Sequence, residues 1–307
     1  MRAIVVSERE DGVEGMVLTD VDYPGTAEND VIVEVHAAGF TPGELDWPAT
    51  WRDRGGRDRT PSVPGHEMAG VVVELGYGTT GLTVGQRVYG LTDWARNGTL
   101  AEYVAVEARN LAPLPASVDF TTAAALPISG LTAWQGLFDH GRLQVGQTVL
   151  IHGAAGGVGS IATQLAYRAG ARVIGTGRAA DRDSALRLGV HEFVDLQKDS
   201  LESVGQVDVV LDVIGGEILA RSTALVRPGG TLVTIAEPPT AHPEGGRAVF
   251  FVVEPDRAQL ADLALRVRDG RLRPVVGDVR PLAEAPDAFA RRRRRGKTII
   301  EVAGDSS

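Results

Sequence analysis

The pattern of apolar and polar positions changes once along the 307-residue chain. Before about residue 115 it consists of short runs of β-type residues separated by turns, which is typical of strands. These runs cover residues 3–7, 31–37, 68–75, 87–91 and 101–106. Few helical patterns lie among them, so the first part of the chain is predicted to form a compact, strand-rich unit.

From residue 121 onward, helical and strand patterns alternate. The predicted helices cover 121–127, 131–141, 182–189 and 216–226, with one more that starts at Ser160, and the predicted strands include 192–195, 207–212 and 231–236. This alternation predicts an α/β unit with a doubly wound parallel sheet. After it come a strand at 248–253, a helix at 256–269, a strand at 274–276 and a closing strand at 297–302, which we expect to return to the first unit.

A glycine loop between an apolar strand and a helix gives the strongest chemical signal. The strand begins at Thr148, and Gly-Ala-Ala-Gly-Gly-Val-Gly follows at 153–159. The loop fits the dinucleotide pattern G-x-G-x-x-G with Ala154 at the first glycine position. Backbone N–H groups at the start of the helix favour an anion. A pyrophosphate is therefore expected beside Ala155, Gly156, Gly157 and Val158, although a ligand-free turn or a methyltransferase site gives a similar pattern.

The next predicted strand, near 171–175, bears on the choice of cofactor. Dinucleotide folds place a residue that contacts the ribose just after it, and NAD enzymes usually have Asp or Glu there. This chain has Gly177 followed by Arg178. Because a guanidinium suits a 2′-phosphate, the pair favours NADPH over NADH. The alternative is that Arg178 is a solvated loop charge.

Composition excludes several classes of site. The formal net charge of −9 argues against nucleic acid or an anionic membrane as the main partner. The chain has no cysteine, which excludes disulfides, thiolate nucleophiles and cysteine-based zinc sites. No apolar stretch approaches membrane-helix length, so we expect a cytoplasmic enzyme. The arginines at 291–295 are expected to complement the dipole of a last helix.

Eight segments occur in the order found in one known family. They are 37–42, 64–70 (Pro-Gly-His-Glu-Met-Ala-Gly), 84–90, 97–104, 126–134 (Leu-Pro-Ile-Ser-Gly-Leu-Thr-Ala-Trp), 153–159, 212–216 and 227–230. With these segments the chain resembles the medium-chain dehydrogenase/reductase superfamily, particularly its zinc-independent quinone oxidoreductase branch. The resemblance implies a Rossmann cofactor domain at 119–247 and a GroES-like catalytic domain at 1–118 and 248–307. It also implies a homodimer or homotetramer.

Zinc enzymes of this superfamily bind a catalytic metal with a cysteine, the histidine of the Gly-His-Glu segment and a second cysteine or an acid. Thr41 and Ile128 stand in the cysteine positions here, so only His66 remains. One imidazole cannot hold a zinc ion that needs about three protein ligands. The sequence therefore predicts a metal-free reaction, with His66 as a residue of the substrate pocket.

The resemblance also carries site residues onto this chain. Thr41 is expected beside the nicotinamide, and the segment that contains Asp46, Trp47 and Trp51 is expected to border the substrate. We predict Thr41 and Asp46 as catalytic, and Trp47, Trp51 and His66 as the substrate pocket. The predicted cofactor contacts, beyond the glycine loop and the pair after the second strand, are Thr132, Val213, Ile214, Gly215, Ile235, Ala236, Phe251 and Val252. Core packing is the alternative for each apolar residue.

The predicted reaction is hydride transfer from NADPH to a quinone or an α,β-unsaturated carbonyl compound. Without a Lewis acid, oxidation of a simple alcohol is difficult, whereas a conjugated acceptor spreads the incoming charge. Two alternatives stay open: an NADP-linked alcohol dehydrogenase, and a catalytically weak NADPH-binding sensor or structural protein.

Overall fold

The computed structural model describes residues 1–290 and 296–303, which form two compact units. The first unit comprises Met1–Ile128, Pro255–Arg271 and the described part of Val275–Ser307, and the second comprises Ser129–Glu254 and Leu272–Pro274. The arginines at 291–295, predicted to end a helix, lie outside the described residues.

The strands of the described residues are short, as the sequence pattern predicted. In chain order they are β1 (Arg2–Val5), β2 (Val17–Asp20), β3 (Asp30–Gly39), β4 (Glu67–Leu75), β5 (Arg87–Leu91), β6 (Tyr103–Glu107), β7 (Leu111–Pro113), β8 (Thr148–Ile151), β9 (Arg172–Gly177), β10 (Glu192–Asp195), β11 (Val207–Asp212), β12 (Val226–Thr234), β13 (Arg247–Phe250), β14 (Val276–Pro281) and β15 (Lys297–Glu301).

The helices concentrate in the second half of the chain. The α-helices are α1 (Pro48–Trp51), α2 (Phe120–Ala124), α3 (Pro127–Trp134), α4 (Gly157–Arg168), α5 (Arg182–Leu188), α6 (Gly216–Ser222), α7 (Arg257–Arg268) and α8 (Ala285–Ala290), and a π-helix, Gln135–His140, continues α3. Within the described parts of the chain, none of these helices is long and apolar enough to cross a membrane.

The sheet of the first unit is organised around β3. Its strand order is β14-β15-β3-β4-β5-β7, and β6 pairs with the first half of β3 while β15 pairs with the last three residues. Neighbours are antiparallel except for β14 and β15. Apolar residues on β3 are buried on both faces, which explains why its sequence is an almost continuous apolar run.

The sheet of the second unit is parallel throughout, with the order β10-β9-β8-β11-β12-β13. The chain moves outward from β8 to β10 and then returns to β11, so the direction reverses between β8 and β11. In such sheets, ligands bind beyond the carboxyl ends of the strands at the point of reversal. The predicted α/β class with a doubly wound parallel sheet is confirmed.

Several predicted boundaries differ from the structure, among them the domain border between residues 118 and 119, since the first unit extends to Ile128. The predicted domain border between residues 247 and 248 falls inside β13, which pairs in parallel with β12, and the second unit extends to Glu254. The strand predicted at 274–276 is observed at Val276–Pro281. This strand lies at the sheet edge and has only half-buried or exposed residues, so its apolar pattern is weak.

Candidate functional site

Sheet register brings the predicted pocket residues of the first unit together. Gly39 of β3 pairs with Glu67 of β4 and with Ile299 of β15. Thr41 follows β3 by two residues, and His66 directly precedes β4. A Cβ atom on Gly39 would lie 2.7 Å from Glu67 Cγ, so glycine lets the carboxylate approach. The end of this sheet therefore brings polar side chains together, and we refer to this cluster as the polar pocket.

Glu44 is a fully buried carboxylate of this pocket that the sequence analysis did not select. Its Oε2 accepts the N–H of Thr41 at 3.0 Å, while Oε1 accepts the N–H of Gly65 and lies 3.8 Å from His66 Nδ1. Asp46, predicted as catalytic, is exposed on the same 3₁₀ turn. Glu44 is thus the carboxylate that lies beside Thr41 and His66, and the catalytic role of Asp46 stays a prediction.

His66 is buried against two tryptophans. Its Nε2 lies 3.3 Å from the carbonyl oxygen of Trp94, which can only accept, so Nε2 carries a proton. The centroid of its ring is 5.2 Å from that of Trp94 and 5.9 Å from that of Trp47, and the two indoles are 5.3 Å apart at 86°. His66 Nδ1 and Thr41 Oγ1 are buried without a hydrogen-bond partner among the described residues. Two buried polar atoms therefore have unused hydrogen-bonding capacity in this part of the chain.

Trp51 differs from Trp47 in its surroundings. Its indole is buried, and Nε1 donates to the carbonyl oxygen of Leu45 at 2.7 Å. Trp47 is only partly buried. Trp51 therefore stabilises the loop, and its predicted contact with substrate stays a prediction.

A second buried carboxylate, Glu67, forms an ion pair with Lys297. The other carboxylate oxygen accepts the N–H of Ile128 at 3.0 Å, and the ammonium also donates to the carbonyl oxygen of Phe40 at 3.2 Å. Burial raises the pKa of Glu67, while Lys297 and the Ile128 N–H act in the opposite direction. This ion pair links β4, β15 and the segments that follow β3 and α2.

The pocket does not fit a catalytic zinc ion. Both oxygens of Glu67 and both of Glu44 already accept hydrogen bonds, and Thr41 and Ile128 supply no thiolate. No group of three His, Asp or Glu side chains within residues 1–290 and 296–303 is arranged to hold a metal. Only His66 Nδ1 is left, whereas a catalytic zinc takes about three protein ligands.

In the second unit, the glycine loop joins β8 to α4 as predicted. Gly156 is the N-cap residue of α4 and makes no side-chain cap. The N–H groups of the first helical residues, Gly157, Val158 and Gly159, have no acceptor within the helix. A Cβ atom on Gly159 would lie 2.0 Å from the carbonyl oxygen of Gly153, so glycine is required for the helix to pack on the loop. These free N–H groups fit a pyrophosphate.

His152, at the start of this loop, is fully buried in a polar network. Ser222 Oγ donates to the carbonyl oxygen of Ile218, so it accepts from His152 Nε2 at 2.7 Å, and Thr176 Oγ1 then donates to Nδ1 at 2.9 Å. Both ring nitrogens are satisfied in the neutral form. Burial lowers the pKa of His152 to about 4, although Asp212 opposes the shift.

Asp212 organises the turn that contains three predicted cofactor contacts. This buried carboxylate accepts the N–H groups of Ile214 and Gly215 at 3.1–3.2 Å and the hydroxyl of Thr234 at 2.8 Å. Its carbonyl oxygen accepts the N–H of Ile235 at 3.2 Å. The turn after β11 and the end of β12 are therefore held together, which brings the segments 213–215 and 235–236 to one edge of the sheet.

Gly177 and Arg178 lie at the end of β9, next to β8 in the sheet. A Cβ atom on Gly177 would lie 3.1 Å from Phe193 Cζ, so little space exists for an acidic side chain there. Arg178 is 69% exposed, with its Nε 3.6 Å from Asp181 Oδ2. Arg182 stacks over the Phe193 ring at 5.2 Å. Two guanidinium groups thus lie near the position at which dinucleotide folds contact the ribose.

The remaining predicted cofactor contacts differ in exposure. Thr132 is buried, and Phe251 packs with its ring centroid 4.4 Å from that of His140. Val252 and Ile214 are exposed large apolar side chains. Core packing accounts for the first two, whereas the exposure of the others leaves them accessible to a ligand. The cofactor contacts stay predictions.

The sequence analysis missed five polar or aromatic residues of these sites, namely Glu44, Trp94, His152, Asp212 and Lys297. Glu44 follows Thr41 within the same turn, His152 directly follows β8, and Asp212 is the last residue of β11. The contacts of Trp94, His152 and Lys297 involve residues far away in the sequence, so the spacing of these three gave no signal.

Comparison with known proteins gives two family matches. The family model described as "Alcohol dehydrogenase GroES-like domain" matches residues 27–116, and the one described as "Zinc-binding dehydrogenase" matches residues 188–300. The chain is 31% identical to the quinone oxidoreductase of Rattus norvegicus, covering 94% of this chain and 92% of that protein. It is also 31% identical to the NADPH-dependent alkenal/one oxidoreductase of Arabidopsis thaliana, with coverages of 94% and 76%.

A polyketide synthase protein and a solved structure are also similar. The spectinabilin polyketide synthase system protein NorB of Streptomyces orinoci is 36% identical over 78% of this chain, which spans only 12% of that relative. The quinone oxidoreductase structure from Coxiella burnetii superposes with a TM-score of 0.89 at 26% identity and covers 99% of both chains.

The neutral His152 predicts an acid-sensitive fold. Its folded pKa of about 4 lies below the ordinary 6.5, so the unfolded chain binds the proton first as the pH falls. The stabilisation is complete above pH 6.5 and is lost between pH 6.5 and 4. His152→Gln should lose about 2 kcal/mol less unfolding free energy than the wild type between pH 7.5 and pH 5, measured by urea denaturation. Exposed His242→Gln is the control, and equal losses in all three proteins would contradict the assignment.

The glycine loop predicts different effects for two alanine substitutions. In Gly156→Ala the new Cβ lies 3.2 Å from the Gly153 carbonyl oxygen, a distance that a small shift relieves, so the protein should fold. The methyl group hinders the close approach of the backbone to the pyrophosphate, so NADPH should bind roughly tenfold more weakly, as measured by fluorescence titration. Gly159→Ala, with a 2.0 Å approach, should unfold at lower urea. Gly25→Ala, where nothing lies within 4 Å, is the control. Unchanged NADPH affinity in Gly156→Ala would argue against binding of the pyrophosphate by the glycine loop.

Proposed function

Because the chain belongs to the medium-chain dehydrogenase/reductase superfamily together with the quinone oxidoreductases, we propose that it is an oxidoreductase that transfers hydride from NADPH to a quinone or an α,β-unsaturated carbonyl compound. The relatives' names support both acceptor classes. An NADP-linked alcohol dehydrogenase has less support among them.

The observation that carries this proposal is the polar pocket of the first unit. It offers a buried hydroxyl on Thr41 and an imidazole nitrogen on His66, both without a partner among the residues described, beside the indoles of Trp47 and Trp94. Indole faces suit a planar conjugated acceptor. The Thr41 hydroxyl would donate a hydrogen bond to the acceptor oxygen as charge develops there. Solvent would supply the proton that converts this oxyanion into a hydroxyl, and His66 Nδ1 would accept the hydrogen bond of that hydroxyl.

We also propose that the reaction needs no zinc. The carboxylates of the pocket are committed to backbone N–H groups and to Lys297, and His66 is the only remaining candidate ligand. A conjugated acceptor needs less help than an alcohol, because delocalisation stabilises the charge that a metal would otherwise stabilise.

NADPH supplies the hydride when bound, and the second unit provides residues to hold it. The N–H groups at the start of α4 would bind the pyrophosphate, and Arg178 would bind the 2′-phosphate. Three features support NADPH over NADH: the guanidinium of Arg178, a second one on Arg182, and the Phe193 ring, which an acidic side chain at position 177 would meet.

From the resemblance, we propose that the protein acts as a homodimer or homotetramer. From its net charge of −9 and its hydropathy pattern, we propose a cytoplasmic location without a nucleic-acid or membrane partner. A molar mass of one subunit, measured by light scattering at the assay concentration, would overturn the oligomeric part.

The acceptor hypothesis predicts NADPH consumption with quinones and enones but not alcohol oxidation with NADP⁺. Thr41→Val should lower kcat for the best acceptor about 100-fold, because one donor to the developing oxyanion is lost. Metal analysis should find far less than one zinc per chain, with rates unchanged by chelator. Stoichiometric zinc together with alcohol oxidation would refute the proposal. Tight NADPH binding without reduction of any quinone or enone tested would favour the sensor alternative.

The cofactor hypothesis predicts a specific charge effect. Arg178→Glu should weaken NADPH binding by about 1.5–3 kcal/mol, roughly 10- to 100-fold, and leave NADH binding nearly unchanged. Arg168→Glu is the matched control, since Arg168 is exposed at the opposite end of α4. An unchanged ratio of the two dissociation constants would refute the role of Arg178.

A further inference from the structure

The peptide group between Phe40 and Thr41 is held at both ends by buried charged side chains. Its carbonyl oxygen accepts from the Lys297 ammonium at 3.2 Å, and its N–H donates to Glu44 Oε2 at 3.0 Å. These two contacts fix the plane of the peptide that leads into the predicted catalytic threonine. We refer to Lys297, the Phe40–Thr41 peptide and Glu44 as the peptide clamp.

Burial makes both ends of the clamp rigid. Glu44 has no exposed side-chain area and is also fixed by the N–H of Gly65. The Lys297 side chain is 11% exposed, and its ammonium is paired with the fully buried Glu67. A buried charge cannot leave its partner without a large desolvation cost. The ammonium is therefore a fixed donor and does not move with a flexible side chain.

Sheet register explains why the lysine reaches this peptide. Ile299 of β15 pairs with Gly39 of β3 in antiparallel register. Continuing this register by two residues places Lys297 at the level of Thr41. The first residue of β15 thus lies next to the second residue after the end of β3.

The choice of lysine is unusual for this chain. Of its 31 basic residues, only Lys198 and Lys297 are lysines, and the rest are arginines. An ammonium is a compact point charge, whereas a guanidinium is planar and larger. The chain therefore uses lysine where one small cation must contact both Glu67 and the Phe40 carbonyl.

We propose that Lys297 is a positioning residue for the Thr41 hydroxyl, acting with Glu44 through the peptide that joins Phe40 to Thr41. This inference rests on the proposed role of Thr41 in acceptor reduction. The hydroxyl itself has no partner among the described residues, so its direction depends on the backbone that carries it. Loss of the clamp lets the peptide rotate and moves the hydroxyl away from the acceptor oxygen.

The test uses a variant that removes the ion pair without leaving a buried charge. In Glu67→Gln/Lys297→Met both charges disappear, and the glutamine still accepts the N–H of Ile128, so the fold should persist. Lys297→Met alone leaves the buried Glu67 carboxylate without its ion-pair partner, and it serves as a second, more destabilised variant. Lys198→Met is the matched control, because Lys198 is exposed.

The clamp predicts a loss in kcat that is not additive with loss of the hydroxyl. The Glu67→Gln/Lys297→Met variant should lower kcat about tenfold, with KM for NADPH within twofold of the wild type. In a Thr41→Val background, the same two substitutions should change kcat less than twofold, because no hydroxyl is left to position. Losses that multiply across the two backgrounds would overturn the proposal, as would an unchanged kcat.

Two measurements separate the clamp from the proposed activity. Quinone binding without cofactor, followed by tryptophan fluorescence, should weaken equally in Thr41→Val and in the variant that combines it with the ion-pair substitutions. If quinone binding follows this pattern but the wild type reduces no acceptor, the proposed activity is wrong and the peptide clamp is still supported.

With ¹³Cε-lysine labelling, two lysine signals are expected, and Lys297 should show non-equivalent ε-protons. Two signals typical of exposed lysines would overturn the clamp.

Discussion

Pairing of buried carboxylates is the constraint on which the first unit depends. Glu44 and Glu67 are fully removed from water, and an ionised group in such a place must be paired or hydrogen-bonded. Glu67 meets this requirement with Lys297 and one backbone N–H, and Glu44 meets it with two backbone N–H groups. These partners come from separate segments of the chain, so satisfying two side chains fixes the geometry of the whole pocket.

In the second unit, the buried histidine His152 is accommodated as a neutral ring and not as a paired charge. His152 directly precedes the glycine loop, and burial keeps its ring neutral although Asp212 acts in the opposite direction. Close approach of Gly159 to Gly153 brings the helix onto the strand, and the N–H groups of its first turn are left for an anion.

Sequence was sufficient where a feature is local. The passage from β8 through the glycine loop to α4, and the alternation behind the parallel sheet, involve neighbours in the chain, and both were predicted correctly. The pocket was predicted only in part, because its main contacts are distant: Glu67 and Lys297 are 230 residues apart. Asp46 was selected from the resemblance, and only the folded backbone shows that Glu44, an acid of the same turn, is buried.

Because the buried carboxylates are already paired, the polar pocket leaves only uncharged groups for a ligand. Lys297 neutralises Glu67, and Glu44 is stabilised by N–H groups, so neither carboxylate needs a metal ion to be buried. What faces a ligand is then a hydroxyl, an imidazole nitrogen and aromatic surface, none of which carries a strong positive charge. Such a pocket stabilises an oxyanion only moderately. It therefore suits acceptors whose own conjugation spreads the charge, and it suits poorly an alkoxide, whose charge is localised on one oxygen atom.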